Sequence, residues 1–178
     1  MTHEQKSNRK NESKEWIVDA LLELMEEKPY REITVTELSA RADLSRRTFY
    51  RHFDTVEDVL LYVMGQMVDD YIASRQELVR EKRNLRKMVV VHFRFWETKK
   101  DFLLLLQKNN LFHMMMQILW RDINDWIRQE NYAKVNPYVY SFAAGGVWHM
   151  MEKWLEEGAV KTPEEMGDVA EDILRIFV

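Results

Sequence analysis

Residues 34–53 read TVTELSARADLSRRTFYRHF. Two short helical patterns meet here in a tight turn. Thr34 and Glu37 form a capping-box pattern, in which a hydroxyl and a carboxylate satisfy amide groups that a first helical turn leaves without partners. Leu38 and Ala42 fall on the inward face of that helix. Asp43 stands at the turn, where a left-handed backbone is wanted and Asp tolerates it better than most residues, though less well than glycine. Ser45 then caps a second helix. Its Phe49 and Phe53 lie four apart and pack inward, leaving Arg46, Arg47, Thr48, Tyr50, Arg51 and His52 outward. No acidic residue lies between Leu44 and Phe53, so this stretch carries +3. A helix-turn-helix with a basic second helix predicts entry into a groove of double-stranded DNA.

The charge of the whole chain qualifies that reading. The 178 residues carry a net charge of −4, which by itself argues against a nucleic-acid partner. Residues 1–53 hold ten basic and ten acidic side chains, against sixteen and twenty in 54–178. A basic patch on a neutral head with an acidic body suits binding through a small recognition surface, not coating by bulk charge. The composition, 46% apolar and 31% charged, is that of a globular protein. Without cysteine, neither a disulfide framework nor a thiolate metal site is possible. The N-terminus lacks an apolar signal core, and no apolar run approaches the roughly eighteen residues of a membrane span. The expected location is therefore cytoplasmic.

Outward from the opening stretch, residues 1–12 are polar and alternately charged, and predict a flexible arm whose Arg9 and Lys10 are within the reach of a minor groove. Ser13 is a plausible cap for a helix with Trp16, Ile17, Ala20, Leu21, Leu24 and Met25 on one apolar face, stopping before Pro29. Beyond Phe53, Thr55 caps a long helix through Val59, Leu60, Val63, Met67 and Tyr71 towards Leu78. Helical patterns follow at 85–98, 102–108, 111–129, 139–157 and 164–177, with no strand signal. Gly158 suits a helix C-terminus, and Thr162-Pro163-Glu164-Glu165 combines an N-cap, a proline at the first helical position and a carboxylate at the third. The fold class is all-α with about nine helices: a homeodomain-like three-helix head at 13–54 and a helical ligand-sensing and dimerisation body at 55–178, whose first helix is the connector.

Residues 34–60 resemble the TetR family of bacterial transcriptional regulators. The match lies in T-V-x-x-L-x-x-x-A at 34–42, L-S-x-x-T-F-Y-x-H-F at 44–53 and E-x-V-L at 57–60. The resemblance implies a homodimeric regulator, a repressor, on a palindromic operator. It places Arg46, Arg47 and Thr48 in the major groove and Thr36, Tyr50 and His52 on phosphates, with Thr34 and Arg51 completing the contact set. The chemistry agrees, because Arg pairs bidentately with guanine while Tyr and His tips fix register without reading sequence. One departure is visible. Members of the family often carry Lys near the start of the fourth helix, and this chain has Asp54-Thr55-Val56. The tail, from Phe142-Ala-Ala-Gly-Gly146 through Trp154 to Pro163, is similar to a subgroup that includes the DhaS-type coactivator, which keeps open a coregulator whose body binds another protein.

The body is rich in aromatic and methionine side chains. Core packing accounts for most of them. Resemblance to ligand-sensing regulators nominates Phe93, Trp96, His113, Trp120, Trp148 and His149 as the lining of a pocket for a small apolar or aromatic effector. A small-molecule carrier without regulatory role would need the same pocket. The small-residue patch at 143–146 costs helix stability and asks for a close helix neighbour. That neighbour is an internal helix or, as in the family, a second copy meeting Gly145, Gly146, Trp154, Ile173 and Leu174. No metal site and no cofactor is expected, and no phosphate loop, nucleophile elbow or Glu-x-x-His pair points to an enzyme.

Overall fold

The computed structural model describes residues 3–75, 85–129 and 136–177. Among these the chain is all-α, with no strand. The helices are α1 (His3–Glu27), α2 (Val35–Arg41), α3 (Arg46–Tyr50), α4 (Val56–Arg75), α5 (Leu85–Glu97), α6 (Lys100–Lys108), α7 (Phe112–Gln129), α8 (Pro137–Glu156) and α9 (Pro163–Phe177), with a 3₁₀ turn at Tyr30–Glu32. Two compact units divide at Met67/Val68, inside α4 rather than at its start. No helix among the described residues is long and apolar enough to cross a membrane.

In the first unit, α1 begins ten residues before the expected Ser13 cap, so residues 3–12 are helical rather than an irregular arm. Neither Pro nor Gly interrupts the chain before Pro29, and nothing local stops a helix there. Ser13 is buried within α1 instead of capping it. Trp16, expected on the apolar face, is 50% exposed. The core of this unit is Ile17, Leu21, Met25, Leu38, Phe49 and Leu60, all fully buried.

Caps and turns follow the residue chemistry. Thr34 Oγ1 accepts from Glu37 N (3.2 Å) while Thr34 N donates to Glu37 Oε2 (3.1 Å). Asp58 N donates to Thr55 Oγ1 (3.1 Å) and Thr55 N to Asp58 Oδ2 (2.8 Å), a reciprocal pair at the start of α4. Asp43 has φ 52°. Its N–H reaches Ala40 O at 3.2 Å and the next amide, Leu44 N, reaches back to Ser39 O at 2.9 Å, which closes the end of α2 in a Schellman motif. Asn110 (φ 58°) and Gly158 (φ 79°) end α6 and α8 in the same way. Arg41 fastens α2 to α1 by a fork onto Glu27 (2.9 and 2.8 Å) and a bond to Glu23 (3.2 Å). Lys28 Nζ lies 2.5 Å from Glu37 Oε1, and this ammonium, with the Thr34 bonds, lowers the Glu37 carboxyl to about 2.

In the second unit α5 and α9 pack closely. Arg86 pairs with Asp168 (2.8 Å) and Arg94 with Glu164 across this crossing. A Cβ built on Gly167 would stand 2.5 Å from Val90 Cγ2 and 3.1 Å from Arg86 Cγ, so glycine is what lets the two helices approach. Gly167→Leu is expected to lower stability: overpacking costs about 1–3 kcal/mol and the better helix propensity returns roughly 1 at most. Chemical denaturation of the two chains side by side measures this, and an unchanged midpoint would show that the crossing yields freely. Phe93 and Trp96 are fully buried here, and Trp154 stands edge-on to Phe93 at 5.5 Å.

Candidate nucleic-acid interface and body cavity

The helix-turn-helix comprises α2, the turn at 42–44 and α3, whose first amide groups are held by Ser45: Thr48 N donates to Ser45 Oγ at 3.1 Å. Phe49 is fully buried and stacks obliquely on Phe53 at 6.1 Å, which fixes the roll of the short helix. Arg46, Arg47, Tyr50 and Arg51 are thereby exposed together on the opposite side. Among the described residues, no carboxylate forms an ion pair with these arginines. Arg46 lies against the Tyr50 ring (5.9 Å to the centroid) and its Nη2 is 3.4 Å from the Tyr50 hydroxyl. An arginine steadied by a ring loses less freedom when it binds.

The remaining expected contacts are placed differently. Thr36 is exposed. The Thr34 hydroxyl is committed to the cap, accepting from Glu37 N and donating to Glu37 Oε2 at 2.8 Å. Thr48 is half-buried, with its hydroxyl 2.9 Å from Ser45 Oγ. Both ring nitrogens of His52 are shut off from solvent, so a phosphate bond from His52 requires its side chain to turn out. The expectation from spacing alone takes no account of this, because a helical wheel locates a side chain but not the orientation of its ring.

The second unit carries a half-open apolar cavity of about 140 Å³ between α4, α5, α7 and α8. Tyr71, Met88, His92, Met116, Trp120 and Trp148 supply its larger surfaces, and Ala143 and Ala144 leave the space open. Of the six expected effector residues, Trp120 and Trp148 line it. Trp148 also stacks on Phe112, with ring centroids 4.2 Å apart. Phe93 and Trp96 are packed in the core rather than on the cavity wall. His113 and His149 are exposed; His149 Nδ1 lies 2.9 Å from Gly145 O on its own helix. The buried histidine is instead His92, whose Nδ1 lies 2.6 Å from the Tyr71 hydroxyl. Its place was legible: Val89, His92, Phe93 and Trp96 share the buried stripe of α5 at helical spacing. Among the described residues, no group of three or more His, Cys, Asp or Glu side chains is arranged to hold a metal ion.

One face of α8 is bare. Tyr138 is 84% and Phe142 77% exposed, and a Cβ built on Gly145 or Gly146 meets nothing within 4 Å among the described residues. Among the described residues, no other helix closes on Gly145 or Gly146 there. Trp154, expected beside it at a dimer contact, is only 2% exposed and donates from Nε1 to Lys161 O at 2.8 Å. Ile173 is half-buried, and the Leu174 side chain lies outside the described residues.

Residues 17–63 match the family model described as bacterial regulatory proteins, tetR family, and residues 83–175 match that of a transcriptional regulator C-terminal region. Among curated proteins, the chain is similar to the HTH-type transcriptional regulator YerO of Bacillus subtilis (strain 168), 28% identical over 107 residues and 57% of this chain. It is also similar to the fatty acid metabolism regulator protein of the same organism, 25% identical over 114 residues and 64% of this chain. The matched stretches span 37% and 56% of those two relatives. Three solved structures share the fold. The fatty acid degradation regulator FadR from Bacillus halodurans has TM-score 0.64 at 14% identity, covering 91% of this chain and 94% of that one. FadR from Bacillus subtilis in complex with stearoyl-CoA has 0.57 at 17%, covering 89% and 96%. The dihydroxyacetone kinase operon activator DhaS has 0.54 at 18%, covering 93% and 96%.

Proposed function

Since this chain belongs to the TetR family of bacterial transcriptional regulators, we propose that it is a homodimeric, cytoplasmic repressor that holds a palindromic operator and lets go when a small apolar or aromatic effector fills the cavity of its body. The observation that carries the DNA part is the exposed basic face of α3, with Arg46, Arg47 and Arg51 in a stretch, 44–53, that holds no acidic residue and with Phe49 locking the helix from behind. Arg46, Arg47 and Thr48 read base edges, while Thr36, Tyr50 and Arg51 hold phosphates. The bare face of α8, with Tyr138 and Phe142 beside two open glycines, is the support for a second copy: large exposed rings flanking a small-residue groove suit a helix pair of close approach. An effector acts by favouring a conformation whose two heads no longer fit both half-sites. Tyr71 of the cavity wall lies on α4, the helix shared by both units, so a bound molecule touches that element directly.

Selection of bound duplexes from random DNA by the full chain tests this reading. The expected product is an inverted repeat with half-sites about 34 Å apart or a multiple of that. Failure to enrich any sequence would overturn the operator assignment. Phe142→Arg is expected to give a monomer in sedimentation and to weaken operator binding at least tenfold, because one head alone reaches one half-site. A dimer that persists in this variant would move the interface elsewhere and leave the α8 face to a protein partner, the coregulator reading.

A further inference from the structure

Resting on the reading of the first unit as a DNA-binding head, we propose that Lys6, Lys10 and Lys14 of α1 form a second contact with the duplex, a row of lysines that binds backbone phosphates beside α3.

The row begins at a side chain held by the head itself. Lys14 Nζ lies over the ring of Tyr62, 4.4 Å from its centroid, and 5.7 Å from that of Phe53. Phe53 comes shortly after Tyr50, the last residue of α3, so this ammonium stands close to the end of the recognition helix. An ammonium on a ring face is steadied there and keeps N–H donors for an anion.

From Lys14 the row runs towards the start of α1. Lys10 and Lys6 precede it by one helical row position each, spaced i, i+4, and so share its face. Successive members are about 6 Å apart along the axis. Helix stability does not account for them. No residue three or four positions from any of the three lysines is acidic, whereas a carboxylate at that spacing is what supports a solvated helix, and like charges there oppose each other. Glu4, Glu12 and Glu15 fall on the other side of the helical wheel. Lysines in the opening turns also stand at the unfavourable end of the helix dipole. A partner with regularly spaced negative charge relieves all of this. The start of α4 offers no substitute, since Asp54, Glu57 and Asp58 crowd it and no Lys or Arg occurs between Arg51 and Arg75.

Within the duplex, the backbone is favoured over the groove floor. An α-helix with its side chains is about 10–12 Å across, and the minor groove is about 6 Å wide. Residues 3–12 are helical rather than an irregular arm, so this segment stays outside the groove and meets its phosphate edge.

Fluorescence anisotropy of the full chain over a salt series, with the selected operator and with a random-sequence duplex, provides the test. The triple variant Lys6→Gln, Lys10→Gln, Lys14→Gln is expected to weaken both duplexes by the same factor, about tenfold or more at low salt. It should lower the slope of log affinity against log salt by about three, one for each lysine. The triple variant Lys6→Arg, Lys10→Arg, Lys14→Arg should keep the parent's slope. Lys99→Gln, Lys100→Gln, Lys108→Gln removes the same charge from the second unit and should change the slope by less than about one. A slope unchanged in the first variant, or lowered as much in the last, overturns the row. So does a loss confined to the operator, which would make the lysines base readers, or a full loss of slope from Lys14→Gln alone. If the unaltered chain binds neither duplex, the DNA reading itself falls and this contact with it.

Discussion

The Arg46→Ala, Arg47→Ala double variant is expected to lose a hundredfold or more in affinity for the selected operator. Each good bidentate contact to guanine is worth about 1–3 kcal/mol of discrimination, and two of them add if they read separate bases. Both side chains are exposed, and neither supports the fold: the core of the first unit lies on the other side of α3, at Phe49. Thermal stability should therefore stay within about 0.5 kcal/mol. The loss should also be selective. Binding to random duplex falls only by the two missing charges, whereas operator binding falls by those charges and the base contacts together. Thr36→Ala is the useful contrast, because a phosphate contact weakens all sequences alike. Fluorescence anisotropy over a salt series measures all three. An operator affinity within twofold of the parent would remove α3 from the groove.

Phe49→Ala should have the largest effect on stability, about 3–5 kcal/mol. The ring is fully buried, meets Phe53 at 6.1 Å and Tyr50 edge-on at 5.5 Å, and is the main anchor of a helix only five residues long. So short a helix has no stability of its own. Its geometry depends on the Ser45 cap and on this ring. The variant should lose operator binding at physiological temperature while the second unit still melts as in the parent, since Met1–Met67 and Val68–Val178 are separate compact units. Circular dichroism melts should show an early transition from the first unit alone. Tyr50→Ala, on an exposed ring, should shift the same transition by less than about 1 kcal/mol. If Phe49→Ala melts like the parent, the core assigned to the first unit is mistaken.

Much of the head was legible in the sequence because its signals are local. Thr34, Ser45, Thr55 and Thr162 each stand where the first orphan amides of a helix need an oxygen, and all four cap as their spacing implies. Gly158 and Asp43 adopt the left-handed backbone their chemistry suggests. The same locality explains two errors. Ser13 has cap chemistry but no helix end to cap, since residues before it carry no breaker and join α1. Trp16 satisfies helical periodicity, yet lies half outside the stripe that α2 and the other helices cover. Periodicity tolerates residues at the edge of a face; burial does not.

By itself, the sequence determined the order and type of the helices, the turn between α2 and α3, and the separation of Phe49 and Phe53 from the three arginines, because each depends on residues within one or two turns of each other. Only the tertiary structure decided which apolar side chains became core and which became wall. Phe93, Trp96, Trp120 and Trp148 share the same hydrophobic chemistry, and no spacing rule distinguishes a ring packed on all sides from one facing a gap between four helices. Glycine shows the same division. The conspicuous pair Gly145 and Gly146 meets no neighbour within 4 Å among the described residues, while the single Gly167 holds the tight crossing, since closeness depends on Val90 and Arg86 more than seventy residues away. Tyr71 and His92, twenty-one residues apart, become a polar pair at 2.6 Å only when α4 and α5 come together beside the cavity.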